Sequence, residues 1–404
     1  MRVFIIMLLL PILSQAITWT TKTPLPQIRS SPGCAVINDT VYVIGGSSGG
    51  GSLHNTNYVY DPVSNLWSAK ASMPTARSGL GCAVVNGKIY AIGGFVGGVQ
   101  ADTNLVEEYD PAADSWSSKT PMPTSRYVYA IAVVANKIYV IGGMLPVTAA
   151  VEEYDPALDS WSTKASMPTA RMGPACAVIR DTIFVFGGST SVGTGAITVN
   201  ECYDPNTDNW SSKANMTYNR YSLGGFSYEN VAYAVGGYNY TVYRNNVEVY
   251  DPATNSWSDE TSMQYARQSM AVGLVGNAVY VIGGWNNGAL IYNEEGIITI
   301  GIEEQEAARN MRIDITPNPF SKQTKISFSR LQNSRHIELE IYDVTGRLVK
   351  SFGEFIDHQF SINQIIWDGK DDNGTILPSG TYLLLINNQG VKETRVLNFI
   401  HSSM

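Results

Sequence analysis

The side chains able to do chemistry in this 404-residue chain are few: 4 His and 4 Cys, set against 23 Tyr and 8 Trp. Copper and zinc are held by three or four imidazole, thiolate or carboxylate groups brought together. Residues 17–295 contain a single histidine, His54, so neither a metal nor a cofactor is expected there. No Ser/His/Asp arrangement, phosphate-binding glycine loop or dinucleotide fingerprint is visible. What does recur is arginine. Arg29, Arg77, Arg126, Arg171, Arg220 and Arg267 each stand ten residues after a Trp. Six such guanidinium groups in a ring are able to bind an anion. A residue repeated in every unit reads first as a structural bond to neighbouring carbonyls or carboxylates. Glu107, Glu152, Glu201 and Glu248 recur in the same way and also read as structural.

The cysteines read as packing residues. Cys34, Cys82 and Cys176 each lie fifteen residues after a repeated Trp, which gives them one equivalent strand position in three units. Cys176 and Cys202 fall on first and third strands, roughly 9–10 Å apart, beyond the ~7 Å reach of a disulfide. All four are expected to be small buried hydrophobes.

The elements that position these residues come from one repeat. Trp19, Trp67, Trp116, Trp161, Trp210 and Trp257 are each followed 26 residues later by a glycine pair, beginning at Gly45, Gly93, Gly142, Gly187, Gly236 and Gly283. The interval from that glycine to the next Trp varies from 19 to 23 residues. A period of 45–49 residues marks a propeller or solenoid. Within one repeat, residues 82–85 and 88–92 alternate around Asn86-Gly87, a hairpin signature. A loop, a strand ending in Tyr109-Asp110-Pro111 and a strand opened by Trp116 follow. Each Asp of Tyr-Asp-Pro is expected to cap a tight turn, each Trp to pack between blades, and each glycine pair to permit a close backbone approach. The sixth copy has a third-strand candidate at residues 290–293 and no Trp after it, whereas Thr18-Trp19-Thr20 precedes the first copy. The N-terminal strand should therefore complete the sixth blade and remove an open edge.

Gly-Gly, Tyr-Asp-Pro, Trp and Met-Pro-x-x-Arg at this spacing resemble the kelch motif over residues 17–295. The resemblance implies a β-propeller, in agreement with the strand count. Some kelch-type propellers, galactose oxidase among them, hold copper through His and Tyr, a reading that the lone His54 opposes. Others, resembling the N-acetylneuraminate epimerases, are exported and act on sugars.

Strand alternation puts the loops between second and third strands, together with the blade-to-blade connections, on one face. That face carries all the length variation, and variable loops on a rigid scaffold are where binding concentrates. It is also rich in aromatic and amide side chains. Tyr127, Tyr129, Tyr218, Tyr221 and Tyr265 lie in the connections, and Phe95, Tyr238, Asn239, Tyr240, Tyr243, Arg244, Asn245, Asn246, Trp285, Asn286 and Asn287 in the loops. Tyr127, Tyr129, Tyr221, Tyr238, Tyr240, Tyr243, Trp285 and Asn286 form the candidate ligand-binding set. Flat rings beside amides suit sugar faces or a protein partner. The competing reading is that these tyrosines pack the loops onto each other.

The ends of the chain give an address. Arg2, apolar residues 3–13 and the small residues Ser14-Gln15-Ala16 read as a signal peptide of residues 1–16. No later stretch is apolar enough to span a bilayer. The net charge of −8, without a Lys/Arg cluster, argues against nucleic acid as a partner. Residues 296–311, with Glu303-Glu304-Gln305-Glu306, read as a linker. Seven strand candidates in residues 312–399 then fit an immunoglobulin-like sandwich. Thr316-Pro317-Asn318-Pro319-Phe320, residues 341–347 and Ser379-Gly380-Thr381-Tyr382 resemble the C-terminal sorting domain of the type IX secretion system. Residues 367–374 are similar to the immunoglobulin-like domain of flagellar hook-capping proteins. Within them the acidic loop 368–374 misses the spacing of a calcium loop and reads as a hairpin turn.

The expected fold is thus all-β: a six-bladed kelch β-propeller closed by an N-terminal strand, then a C-terminal immunoglobulin-like sandwich for sorting or anchoring over residues 312–404. The sorting resemblance implies export across a Gram-negative outer membrane, with the secretion machinery as partner, and release or surface attachment. The expected function is binding of a glycan or surface protein. The alternative is an exported sugar epimerase or mutarotase of the kelch-propeller type.

Overall fold

The Asn86-Gly87 hairpin sets the pattern of every repeat. Both residues take left-handed φ, 51° and 73°, as a type I′ turn requires, and Gly81–Val85 pairs antiparallel with Lys88–Ile92. Val106–Asp110 pairs on the far side of Lys88–Ile92, and Ser115–Lys119 closes the sheet. The computed structural model describes residues 15–98, 102–144, 146–300, 312–329, 337–355, 364–388 and 391–400. They fall into two compact units, one of them Gln15–Thr299. That unit holds six four-stranded sheets of this kind. Its innermost strands follow one another in a circle: Gly33–Ile37, Gly81–Val85, Ala130–Val134, Ala175–Ile179, Gly224–Tyr228, Ala271–Val275 and back to the first. We number the blades one to six in that order. No helix of the described residues is long and apolar enough to cross a membrane.

Period-2 alternation sends the two faces of each blade into two different cores. In blade two, Ala83, Val85, Tyr90 and Ile92 pack with blade three, whereas Cys82, Ile89, Ala91 and Tyr109 pack with blade one. A blade on its own would expose both faces, so it depends on its neighbours. The repeated Trp sits on the outer strand, and its indole N–H reaches back to the preceding blade. Trp19, Trp67, Trp116, Trp161, Trp210 and Trp257 donate to the carbonyls of Thr261, Thr23, Ala71, Thr120, Ala165 and Ala214 at 2.8–2.9 Å. Each such bond contributes about 1 kcal/mol. A second clasp was not read from the sequence. The residue at Asn65, Asp114, Asp159, Asp208 and Asn255 accepts the tyrosine hydroxyl of its own blade and a backbone N–H after the preceding blade. The Asp of Tyr-Asp-Pro caps its turn as expected, with Asp110 accepting the N–H groups of Ala112 and Ala113.

Closure follows the expected route. Gln15–Thr21 joins the sheet of Ala271–Val275, Ala278–Ile282 and Asn293–Ile300 as its outer strand. Two boundaries differ from expectation. The third strand of blade six is Asn293–Ile300, not residues 290–293, so 296–300 belong to a strand and not to the linker, whose residues 301–311 lie outside the described residues. The register is set by Glu294 and Glu295, counterparts of Glu107 and Glu108. Gly296 takes the place of the usual tyrosine because a Cβ there would come within 2.8 Å of Ile17 and 2.9 Å of the Trp19 ring. Of the expected leader, residues 1–14 are outside the described set, and Gln15 and Ala16 open the first strand.

In the C-terminal unit, Arg312–Thr316, Thr324–Ser329 and Gln364–Trp367 form one sheet. Ile337–Asp343, Leu348–Phe355, Gly380–Asn388 and Val391–Phe399 form another. The two share a core of Phe320, Ile326, Leu339, Ile341, Trp367, Leu384 and Phe399. The acidic loop is a turn: Asp371 accepts the N–H groups of Asn373 and Thr375 at 3.0 and 2.8 Å, and Asp372 pairs with Lys350 at 3.1 Å.

Candidate functional site: the loop face of the propeller

The recurring arginines do structural work. Each is at most 1 % exposed. Arg77, Arg126, Arg220 and Arg267 meet Glu107, Glu152, Glu248 and Glu294 at 3.0, 2.7, 2.6 and 2.8 Å, and Arg171 meets Glu201. Arg29 is the exception, because Tyr58 occupies the position of the glutamate. It bonds instead to the Gly45 carbonyl, the Thr56 hydroxyl and the Gln27 amide oxygen at 2.8, 2.7 and 3.0 Å. The backbone carbonyl of each Arg also accepts the N–H of the second glycine of the preceding blade, Gly46 to Gly284, at 2.7–3.1 Å. This approach is why the first glycine carries no side chain. A Cβ on Gly45, Gly93 or Gly142 would fall 2.6–2.7 Å from that carbonyl.

The residues after each Arg form the mouth of the channel. The first of them pairs with the residue after the glycine pair: Ser30 with Ser47, Ser78 with Phe95, Tyr127 with Met144, Met172 with Ser189, Tyr221 with Tyr238 and Gln268 with Trp285. The next residues, Ser31, Gly79, Val128, Gly173, Ser222 and Ser269, all adopt φ between 47° and 62°. They link head to tail in a complete circle, Ser31 N–H to Ser269, Ser269 to Ser222, and so on around to Gly79 on Ser31, at 2.6–2.9 Å. Val128 is β-branched, and its left-handed conformation costs on the order of 1–2 kcal/mol, which the ring must offset.

Beneath the ring, the channel holds a cavity of about 250 Å³ lined by Cys34, Cys82, Tyr129 and Cys176 among others. The thiols are free. The Cys176 thiol donates to the Ile131 carbonyl of the preceding blade at 3.0 Å, and Cys82 lies against Gly33, where a Cβ would come within 2.3 Å of its sulfur. Burial pushes Cys82 and Cys176 up to about 12 and raises Cys34 as well, so none is a thiolate near neutral pH. Among the described residues, no three His, Cys, Asp or Glu gather as metal ligands.

The candidate set divides. Tyr129 is a correction: it is buried, and its hydroxyl lies between the Ile92 carbonyl and the Gly81 N–H, bonding both. Its ring fills the interface of blades two and three, so it is not on the ligand-facing surface. Tyr221, Tyr238, Tyr240 and Tyr243 stack on each other, Tyr221 on Tyr240 at 4.6 Å and Tyr238 on Tyr243 at 4.3 Å. The Tyr240 hydroxyl donates toward Ser189 Oγ and the Ser191 carbonyl, both at 2.9 Å. Burial, then the neighbouring phenols, raises the Tyr221 hydroxyl. Tyr127 packs on Phe95 at 5.5 Å; burial, then Asp102, raises its hydroxyl. Trp285 lies against Gly49 of blade one, 3.2 Å from where a Cβ would stand. Asn286 donates to the Ala266 carbonyl at 2.9 Å.

Asn286 also lines an open hollow of about 320 Å³, together with Gln264, Tyr265, Ala266, Leu290 and Tyr292. Tyr265 stacks on Tyr292 at 4.1 Å and is 37 % exposed. The candidate set omitted Tyr265 and Tyr292, yet the sequence carries a signal. Blades two, three and four are entered through Met-Pro-Thr-x-Arg, blades five and six through Met-Thr-Tyr-Asn-Arg and Met-Gln-Tyr-Ala-Arg. Thr75, Thr124 and Thr169 donate their hydroxyls to Glu107, Glu152 and Glu201 at 2.6–3.0 Å. Where proline is replaced, the backbone N–H of Thr217 and Gln264 takes over, bonding Glu248 and Glu294 at 2.7 Å. That releases the next side chain from the glutamate, and in both blades it is a tyrosine.

Comparison with known proteins agrees with this geometry. The sequence profile of the Attractin/LZTR1 β-propeller matches residues 13–247, more than half of the chain. The chain belongs to this propeller family. A solved structure titled "Structure of YjhT" is similar in fold, at 17 % identity and a TM-score of 0.61, over 68 % of this chain and 96 % of that one. No curated protein matches the chain. Residues 314–398 match the secretion system C-terminal sorting domain. This attractin-type propeller is therefore carried by a type IX sorting tail, which engages the secretion machinery and delivers the protein outside a Gram-negative cell, released or attached to its outer surface.

Proposed function

We propose that the protein is a non-enzymatic binding module whose loop face, over blades five and six, holds a glycan outside the cell. The observation that carries this reading is the hollow at Tyr265, Tyr292 and Asn286. It offers an exposed aromatic ring for the apolar face of a sugar and amide groups for its hydroxyls, at the size of one or two sugar rings rather than of a protein epitope. Acid–base catalysis needs a proton donor and acceptor converging on the substrate. The six residue pairs of the mouth contain no carboxylate, Asp102 stands beside them bridged to Phe95, and the third-strand glutamates are held by Arg, Lys and Tyr. These facts favour binding over epimerisation.

A glycan-array screen of the purified chain, repeated with Tyr265→Ala and Asn286→Ala, tests the reading. Binding by the wild type should fall about tenfold or more on losing the ring. Binding that both variants retain in full places the ligand elsewhere.

A further inference from the structure

Arg244 is a charged side chain on this face to which the described residues give no hydrogen bond or ion pair. It belongs to the second-to-third loop of blade five, and its guanidinium lies over the Tyr218 ring, 4.9 Å from the centroid. Its Nε is buried without a partner, and none of the described residues gives its guanidinium a hydrogen bond or an ion pair. Arg220 below has already taken Glu248. Asp259 accepts the Tyr218 hydroxyl at 3.4 Å. A partly buried guanidinium with open donors, lying over an aromatic ring, is prepared for a carboxylate or sulfate.

Its position ties it to the hollow. Tyr218 and Tyr265 are the same residue of the repeat in adjacent blades, both released by the loss of proline. The Arg244 carbonyl accepts the N–H of Arg267 at 3.0 Å, and Arg267 directly follows Ala266, a wall of the hollow. Two aromatic platforms thus stand side by side, one with a cation and one without. Resting on the function proposed above, we infer that the ligand is an acidic oligosaccharide laid along blades five and six. One sugar ring sits in the hollow at Tyr265 and Asn286, and the carboxylate or sulfate of a neighbouring sugar is held by Arg244.

The test is an array whose glycans come in pairs, uronic acid with its methyl ester and sulfated with desulfated sugar, probed with the full chain, Arg244→Gln, Arg244→Lys and Tyr265→Ala. The wild type should favour the acidic member of one pair type by about tenfold to a hundredfold, and which pair type responds distinguishes carboxylate from sulfate. Arg244→Gln should erase the preference while leaving binding of the neutral partner intact. Arg244→Lys should keep part of it, and raised salt should weaken it. Tyr265→Ala should lower acidic and neutral binding together. Neutral and acidic members bound equally by the wild type, or a preference that survives Arg244→Gln, overturns the inference and leaves the glycan site standing. No binding by the wild type anywhere on the array overturns both.

Discussion

Blades two to four and blades five and six solve the same electrostatic problem with different atoms. Each buries an Arg–Glu pair whose carboxylate needs a second donor, since a half-satisfied buried charge is costly. In blades two to four, proline withholds its N–H and the following threonine hydroxyl does the task. In blades five and six, a backbone N–H does it, and the next side chain is free to face solvent. One residue type in a connection thereby decides whether its neighbour is structural or available for ligand. Blade one is a third solution, in which Gln27 serves an Arg that has no carboxylate.

The comparison can be broken at several points. The largest expected effect is removal of the acid itself. Glu248→Ala leaves Arg220 charged and buried, both groups being fully inaccessible, and should cost about 3–5 kcal/mol. Gln27→Ala in blade one should cost only about 1 kcal/mol. Thermal and urea unfolding of the two variants measure the gap, and equal losses would mean that the pairing in blade five is not special. Next comes Thr217→Pro, which deletes the N–H on Glu248 and should cost about 1–3 kcal/mol. Adding Tyr218→Thr rebuilds the arrangement of blades two to four and should restore most of that stability while removing the aromatic platform. A double variant no more stable than the single one would refute the exchange of donors.

The smallest effect is on pH dependence. Glu153 is pulled upward by burial, but hydrogen bonds from Tyr139, Lys164 and Lys137 outweigh this and hold its carboxyl below the ordinary value of 4.5. Because the folded value is depressed, the unfolded chain binds the proton more readily. The stabilisation is present above about pH 4.5 and drains away as pH falls through the folded value. The drop in melting temperature between pH 6 and pH 3.5 should therefore be smaller for Glu153→Gln than for the wild type. An unchanged drop would assign the acid sensitivity to other carboxylates.

The fold was legible because its determinants are periodic. Trp, Gly-Gly and Tyr-Asp-Pro recur at fixed spacing, and each answers to one interblade bond or one close approach. The sorting tail was legible for the same reason, its motifs lying on strand ends and turns. The site was less so. Tyr129 and Tyr127 are two residues apart with similar surroundings in sequence, yet the left-handed Val128 between them (φ 47°) interrupts the extended backbone, and Tyr129 turns inward to bond Ile92 and Gly81. The tyrosines around Tyr238 looked like a surface for ligand and are largely occupied with one another. Conversely, Tyr292 reads as an ordinary loop residue until its stacking on Tyr265 is seen. Side-chain identity marked the right face, but which rings remain available depends on contacts between loops far apart in the chain.

The circle of bonds through Ser31, Gly79, Val128, Gly173, Ser222 and Ser269 acts as a check on blade number. An open row of the same blades would make one bond fewer and leave an amide and a carbonyl orphaned at its two ends. Docking of the last blade answers both orphans in a single event, after the ordering of the chain has already been completed by its neighbours. Completeness is thus registered at the axis, where every blade has one vote, and a propeller short of a blade carries its own unsatisfied signature at the centre.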